Sequence, residues 1–309
     1  MNNLKSSKIL VLGSYNVDIS SSMAKFPQPG ETVLGSGFQK GPGGKGSNQA
    51  IAAARLGGNV SFMGCIGDDI FGQEAVRLFS DEGIETNYLI VDPTQPTGTA
   101  VILVEESGEN QIVVTPGANH QLLSEHIDGK IDFKDISWLI LQMEVPFESV
   151  KRAVECAKAE GVKVIMNPAP VLKEIVELLP SIDVLTPNET EAQVLTGISI
   201  ETLQDVEKAA KWFLQKGTKA VSMTLGSKGA YIAFMNQNGF VGKHIPSRKV
   251  NAIDTTGAGD CFNGALAVAL SEGNAFQESV EFAVKAASLS VQRKGAGVSM
   301  PFRREIDQE

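Results

Sequence analysis

The sequence predicts an α/β chain: a three-layer α/β/α sandwich on a mostly parallel central sheet, carrying a small β-sheet lid. Three observations support this. Short runs that are apolar throughout recur along the chain, as expected of strands covered on both faces. Helix-like stretches separate them, and repeated βα alternation builds a doubly wound parallel sheet. Two further segments break the rhythm and read as extended, turn-punctuated chain.

Taken in order, strands are expected at 9–12, 60–64, 138–142, 162–166, 184–186, 221–225 and 231–234. Helices are expected at 47–56, 72–82, 147–160 and 171–179, then at 260–271 and from 275 through 285. The first exception is 97–115. There two alternating runs, 99–104 and 111–115, are joined by Glu105-Glu-Ser-Gly-Glu-Asn110, a hairpin signal. The second exception, 19–39, is punctuated by Pro27, Pro29, Gly30, Gly35 and Gly37. A lone hairpin is marginal in water, so the two segments are expected to pair into one small sheet. That sheet, from about 19–40 and 97–116, stands off a single domain of residues 1–309. Beside an active site it is placed to act as a lid.

At 309 residues, 42% hydrophobic and 20% charged, the chain can bury a sizeable core. A net charge of −9 with no basic tract disfavours a nucleic-acid partner. Any anion must then be held locally, by backbone amides, a metal ion or a few lysines. Cys65, Cys156 and Cys261 are odd in number and widely spaced, which fits reduced thiols in a cytosolic enzyme better than disulfides or zinc. The apolar run after Lys8 is too short for a signal-peptide core, and no stretch approaches transmembrane length.

Several motifs can carry chemistry. Asp254-Thr-Thr-Gly257-Ala258-Gly259-Asp260 precedes the helix 260–271 and delivers free amides to its N-terminus, an anion hole for a phosphoryl group. Asp260, in the first turn, is favoured as a carboxylate by the helix dipole and is poised to take a hydroxyl proton. By itself it would also pass for a helix cap. Gly41-Pro-Gly43-Gly44-Lys45-Gly46-Ser47-Asn48 matches G-x-G-x-x-G literally, but no core strand precedes it, and Gly46 between Lys45 and Ser47 rules out a P-loop. What remains is a glycine loop letting backbone approach a ligand, with Lys45 and Asn48 as donors to hydroxyls. Asn16 and Asp18, two apart on extended chain, face one side and can share a diol.

Asn188 and Glu191 follow a core strand, where they can organise Mg²⁺, its waters and phosphates. Thr224, Gly226, Ser227 and Gly229 suit phosphate contacts, although a hairpin turn explains the same glycines. Cys261 reads as a small buried residue, the histidines lack metal-ligand spacing, and Trp138 and Trp212 read as core.

Together these motifs resemble the ribokinase (PfkB) family of carbohydrate kinases. The likeness spans nearly the whole chain, in order: Gly13-Ser-Tyr-Asn16-Val-Asp18, Phe26-Pro-Gln-Pro-Gly-Glu-Thr32, Gly43-Gly-Lys-Gly-Ser-Asn-Gln-Ala50, Asn167-Pro-Ala-Pro170, Thr186-Pro-Asn-Glu-Thr-Glu191 and Asp254–Asp260. Ser47 stands where the family often has Ala. The resemblance implies ATP-dependent phosphorylation of ribose on its 5-hydroxyl, with Asp260 as base and Gly257, Ala258 and Gly259 as anion hole. It assigns the sugar to Asn16, Asp18, Gly44, Lys45, Asn48, Glu144 and Asp260. The nucleotide falls to Asn188, Thr224, Gly226, Ser227, Gly229, Gly259 and, for adenine, Val284. Glu191 would hold Mg²⁺ through water. A monovalent cation, K⁺ before Na⁺, would sit at Asp254, Thr256, Ser290, Arg293, Gly295 and Ser299. Lids of the family often pair between subunits, which implies a homodimer; the cysteines and the lack of a transmembrane stretch lead to the expectation of a cytoplasmic protein with no membrane partner.

Two rival classes remain at this stage. One is a fructose, nucleoside or pseudouridine kinase of the same fold, disfavoured by the joint presence of Asn16, Asp18, Lys45 and Asn48. The other is a non-catalytic sugar-binding regulator, disfavoured because a binding module has no need of Asp260.

Overall fold

The computed structural model describes residues 7–308; residues 1–6 and 309 of the expected 1–309 domain lie outside the described residues. β1 (Lys8–Leu12) runs into β2 (Asn16–Met23), β3 (Gly35–Gly43) and α1 (Lys45–Arg55). Next come β4 (Val60–Gly67), α2 (Ile70–Asp81), β5 (Glu85–Asp92), β6 (Gly98–Glu105) and β7 (Asn110–Thr115). The middle of the chain supplies β8 (Ile136–Leu141), α3 (Phe147–Ala159), β9 (Lys163–Met166), β10 (Val184–Leu185), α4 (Glu189–Thr196) and α5 (Leu203–Gln215). β11 (Ala220–Thr224), β12 (Gly229–Asn236), β13 (Gly239–Pro246), α6 (Ala258–Ser271), α7 (Phe276–Ser290) and α8 (Arg303–Asp307) complete it.

The main sheet has nine strands in the order β13-β12-β11-β10-β9-β8-β1-β4-β5. From β5 to β11 every pairing is parallel, and the β12–β13 hairpin closes one edge antiparallel. Alternation along β1 shows why its sequence is apolar throughout. Ile9 and Val11 enter the core under α1, α6 and α7, while Leu10 and Leu12 enter the core under α3 and α5. All four are fully buried, each adding roughly 1.5–3 kcal/mol of hydrophobic stabilisation. The chain winds outward from β1 through β4 to β5, then returns to β8 on the other side of β1. That reversal opens a crevice at the carboxyl ends of β1 and β8.

A second sheet, ordered β3-β2-β6-β7, is built from the two segments that broke the sequence rhythm. β2 pairs with β6 in parallel, from Asn16 opposite Gly98 to Met23 opposite Glu105. Its strands reach farther toward the main body than 19–40, so Asn16 and Asp18 are residues of this sheet.

Other expectations need correction. The helix expected at 171–179 is a 3₁₀ helix, Lys173–Ser181, with Pro180 inside it; proline removes the amide a longer α-helix needs. β5 and β13 were not expected as strands. Both lie at sheet edges and are partly exposed, so they lack the fully apolar signature. α4 and α5 fill the interval before β11, where no helix was named.

α1 and α6 pack closely, and the site depends on that approach. A methyl group on Gly264 of α6 would lie 2.6 Å from the Gln49 carbonyl and 2.9 Å from the Ala53 amide of α1. Gly264→Ala is expected to lower stability by about 1–3 kcal/mol through overpacking, although alanine is the better helix former. Urea unfolding followed by circular dichroism measures this; an unchanged or raised midpoint would show that the helices can separate without loss.

Candidate active site

The loop from β1 into β2 and the loop from β3 into α1 lie against each other. The Ser47 amide donates to the Ser14 carbonyl at 2.9 Å. Glu144, just past β8, accepts from the Ser14 hydroxyl at 2.5 Å and the Lys45 amide at 2.9 Å, both at Oε2. It thereby satisfies an amide that the first turn of α1 leaves open. The glycines here are steric necessities. A Cβ on Gly43 would fall 1.9 Å from an oxygen of Asp18, and one on Gly44, at φ 88°, would fall 2.8 Å from the Asn16 amide. Only a bare backbone lets the Asp18 carboxylate lie so close.

Asp260, in the first turn of α6, is 6% exposed. It accepts from the Asn48 amide nitrogen and from the Gln49 amide nitrogen, each at 3.0 Å. Burial raises its pKa above the ordinary carboxylate value, with the Glu144 charge adding to the rise, while Lys45, Gln49 and Asn48 oppose it. Lys45 has the complementary position. Burial lowers its pKa, but Asp260, Glu144 and Glu191 outweigh burial and leave it raised. Asp18 is pushed up to about 6 by burial, then by Glu144 and Asp260. No described residue donates a hydrogen bond to the Asp18 carboxylate. Three carboxylates around one ammonium group form a cluster that welcomes further hydrogen-bond donors, such as hydroxyl groups.

Two neighbouring cavities share part of their lining, and Asp260 borders the smaller. The smaller, about 180 Å³, is lined by Lys45, Glu191, Gly257, Ala258, Gly259 and Asp260, together with Asn167, Thr186, Thr255 and Asn263. The larger, about 540 Å³, touches Asn188, Thr224, Gly226, Ser227, Gly229, Gly259 and Val284. Every position expected to serve the nucleotide therefore lines one cavity. Asn188, Thr224, Thr255, Ala258 and Gly259 border both. The α6 N-terminus faces their junction. Its Ala258 amide is taken by the Thr255 carbonyl at 3.2 Å, whereas among the described residues no acceptor takes the Gly257, Gly259 or Asp260 amide. Of the three amides expected to form the anion hole, those of Gly257 and Gly259 are open among the described residues, and the Asp260 amide is open beside them.

Asn188 caps α4. Its side-chain oxygen accepts from the Glu191 amide at 2.8 Å, and Glu191 accepts in return from the Asn188 amide and side chain at 2.9 and 3.0 Å. Burial raises the Glu191 pKa. Asp254 accepts from the Thr256 amide and hydroxyl and from the Gly295 amide, at 2.9, 2.7 and 2.8 Å, tying the loop before α6 to the loop after α7. The Ser290 and Ser299 hydroxyls donate to the Ala287 and Ala296 carbonyls, and the Arg293 side chain pairs with Glu305. Asn16 accepts at its side-chain oxygen from Asn119 at 2.9 Å.

Sequence reasoning missed Gln49, Asn119, Asn263, Thr255 and the cavity-lining stretch 247–252. Gln49 and Thr255 sat inside recognised motifs but read as ordinary helix and turn residues; the others carry no local pattern. Cys261 is fully buried, and burial pushes its thiol up to about 12, in keeping with a packing role.

The description "pfkB family carbohydrate kinase" matches residues 6–303. The chain is 43% identical over 299 residues to a ribokinase of Haemophilus influenzae, covering 96% of each protein. Among solved structures it is similar to a ribokinase from Thermotoga maritima, at TM-score 0.87 and 41% identity over 97% of this chain and 98% of that one. It is also similar to the ribokinase of Arabidopsis thaliana complexed with ribose and ATP, at TM-score 0.88 and 34% identity over 98% of each chain.

The raised Asp18 pKa has a stability consequence. The folded state holds this proton up to about pH 6 and the unfolded chain only to about 3.8. Folded protein therefore binds more protons between those values, and stability falls as pH rises through that window. The penalty is absent below it and complete above it. Asp18→Asn is expected to be more stable than wild type at pH 8, by roughly 1–3 kcal/mol, and equal to it near pH 4. Thermal melts at both pH values measure this; a gap unaffected by pH would refute the electrostatic origin.

Proposed function

The chain belongs to the pfkB family of carbohydrate kinases, and we propose that its site transfers the γ-phosphoryl group of ATP to the 5-hydroxyl of D-ribose. The observation carrying this reading is a buried carboxylate, Asp260, lining a small polar pocket that shares Asn188, Thr224, Thr255, Ala258 and Gly259 with a nucleotide-sized cavity. A cavity of about 540 Å³ lies within the range of small-molecule sites. Its apolar side, at Phe262 and Val284, suits a purine base; Asn188, Thr224, Gly226, Ser227 and Gly229 suit the ribosyl and phosphate groups.

On the sugar side, Asp18 and Glu144 accept from hydroxyl groups, Asn16, Lys45 and Asn48 donate to them, and Gly44 lets the ring approach backbone. The 5-hydroxyl proton passes to Asp260 as the oxygen attacks the γ-phosphorus. An O–P bond forms, the bond to the β,γ-bridging oxygen breaks, and ADP leaves. The open amides of Gly257, Gly259 and Asp260 at the start of α6 meet the charge that develops on the phosphoryl oxygens, and Lys45 balances the carboxylates. The sheet built from β2, β3, β6 and β7 acts as the lid that excludes water.

Mg²⁺ would be held near Glu191 through water and would neutralise phosphate charge when bound. The oxygen-rich pair of loops at Asp254, Thr256, Ser290, Arg293, Gly295 and Ser299 suits a monovalent cation such as K⁺. The Asp254 bond to Gly295 already draws these loops together behind Gly257. A homodimer through the lid sheets would cover Phe38, Ile112 and Val113, which stand exposed. Free Cys65, Cys156 and Cys261 fit a reducing cytoplasm. Among the described residues, no helix is long and apolar enough to cross a membrane.

Asp260→Asn is expected to lower kcat about 10²–10⁴-fold with ribose binding partly retained. A coupled ADP-release assay with ribose, 2-deoxyribose, fructose and a nucleoside tests substrate and base together. Near-full kcat in the variant, or a clear preference for fructose or the nucleoside in kcat/KM, would refute the reading. With Tris-neutralised substrates, KCl is expected to raise activity more than NaCl, and Asp254→Ala to abolish the response; equal rates without alkali cation would rule out the requirement.

A further inference from the structure

Asp260 is anchored by more than its sugar-side neighbours. Gln49, fully buried on α1, donates from its amide nitrogen to Asp260 Oδ1 at 3.0 Å and to Asn167 Oδ1 at 3.2 Å. Its own oxygen accepts from the Gln142 amide nitrogen at 2.7 Å. Gln142 is fully buried too, and its oxygen has no hydrogen-bond partner. That oxygen lies against Gly13, where a Cβ would sit 2.0 Å away. The direction of this chain of amides follows from its end. An ionised carboxylate accepts only, so it selects the nitrogen of Gln49. Gln49 must then offer its oxygen to Gln142, which leaves the Gln142 oxygen stranded. An orphaned buried acceptor costs free energy, and the fold tolerates it beside the one residue without a side chain.

Asp260 Oδ2 is bonded instead to Asn48, a residue assigned to the sugar. Sugar binding draws on both partners of that contact, and the Oδ1 bond to Gln49 is the one left outside the reaction. We infer that Gln49 is the positioning residue of the catalytic base: it holds Asp260 ionised and aimed, with Gln142 fixing the orientation of its amide. The inference rests on the reading of Asp260 as base. The other charged or titratable groups facing Asp260 are Lys45 on α1, Glu144 after β8, Asp18 on β2, Glu191 on α4 and the neighbouring Cys261. Lys45 opposes the rise in the Asp260 pKa and Glu144 adds to it, and all of them remain in place when Gln49 is changed.

Gln49→Met preserves length and volume and removes the donor. Loss of a hydrogen bond to a charged group is expected to lower kcat about 10–100-fold, with ribose KM within about threefold of wild type. The acid limb of the kcat–pH profile should move upward by about one unit, because the ionised form has lost a donor. A merely structural loss would lower the amount of active protein without moving the limb. A second reading needs no sugar: the ¹³Cγ resonance of Asp260, identified by its disappearance in Asp260→Asn, should titrate at higher pH in Gln49→Met. An unmoved acid limb with kcat within threefold of wild type, or an unmoved ¹³Cγ titration, would overturn the inference. If wild type fails to phosphorylate ribose, the functional reading falls, and the ¹³Cγ titration still decides whether Gln49 sets the ionisation of Asp260. If Gln49→Met fails to fold by circular dichroism, the decision passes to Gln142→Met. That variant must move the titration in the same direction by a smaller amount, and an unmoved titration refutes the claim.

Discussion

A carboxylate kept away from water constrains the rest of this site. Asp260 is nearly inaccessible, and burying an ion without partners is costly. The fold answers with side-chain donors from Asn48 and Gln49, with Lys45 nearby and with the dipole of α6. These groups come from two helices far apart in sequence. They meet because Gly264 lets α6 approach the backbone of α1. The packing of two helices and the ionisation of one buried carboxylate are therefore a single problem.

The same logic extends outward along the crevice. Glu144 caps the start of α1 while raising the pKa values of Asp18 and Asp260, so one carboxylate acts on both helix and site. Asn119 does similar work for the lid. Its side chain accepts from the Tyr15 amide and lies within 3.0 Å of the Tyr15 carbonyl, the Asn16 side-chain oxygen and the Pro116 carbonyl. Entry to the lid at Asn16 and exit after β7 thus share one buried amide. Asn16 is left with its own amide nitrogen available to a ligand.

A residue's sequence context revealed some of these roles and concealed others. Asp260 and its glycines were recognisable because glycines before a helix leave free amides at its start, a local feature with a local pattern. Asn188 and Glu191 were legible for a similar reason, since three residues place them within one capping turn. Gln49 was not, because nothing near it in sequence distinguishes an amide bonded to a buried carboxylate from any other buried helix residue. β5 and β13 escaped because edge strands need not be apolar on both faces.

By itself the sequence determined the βα rhythm, the two segments of the small sheet, the glycine loops and the place of Asp260 at the start of a helix. All of these follow from short-range rules of periodicity, backbone freedom and helix termini. Only the tertiary structure decided that Asp18 lies unpartnered against Gly43, and that a line of amides runs from Asp260 to Gly13. Those facts depend on which buried groups meet across elements separated by 25 to more than 200 residues. Burial turns such meetings into large electrostatic effects, and no local pattern records them.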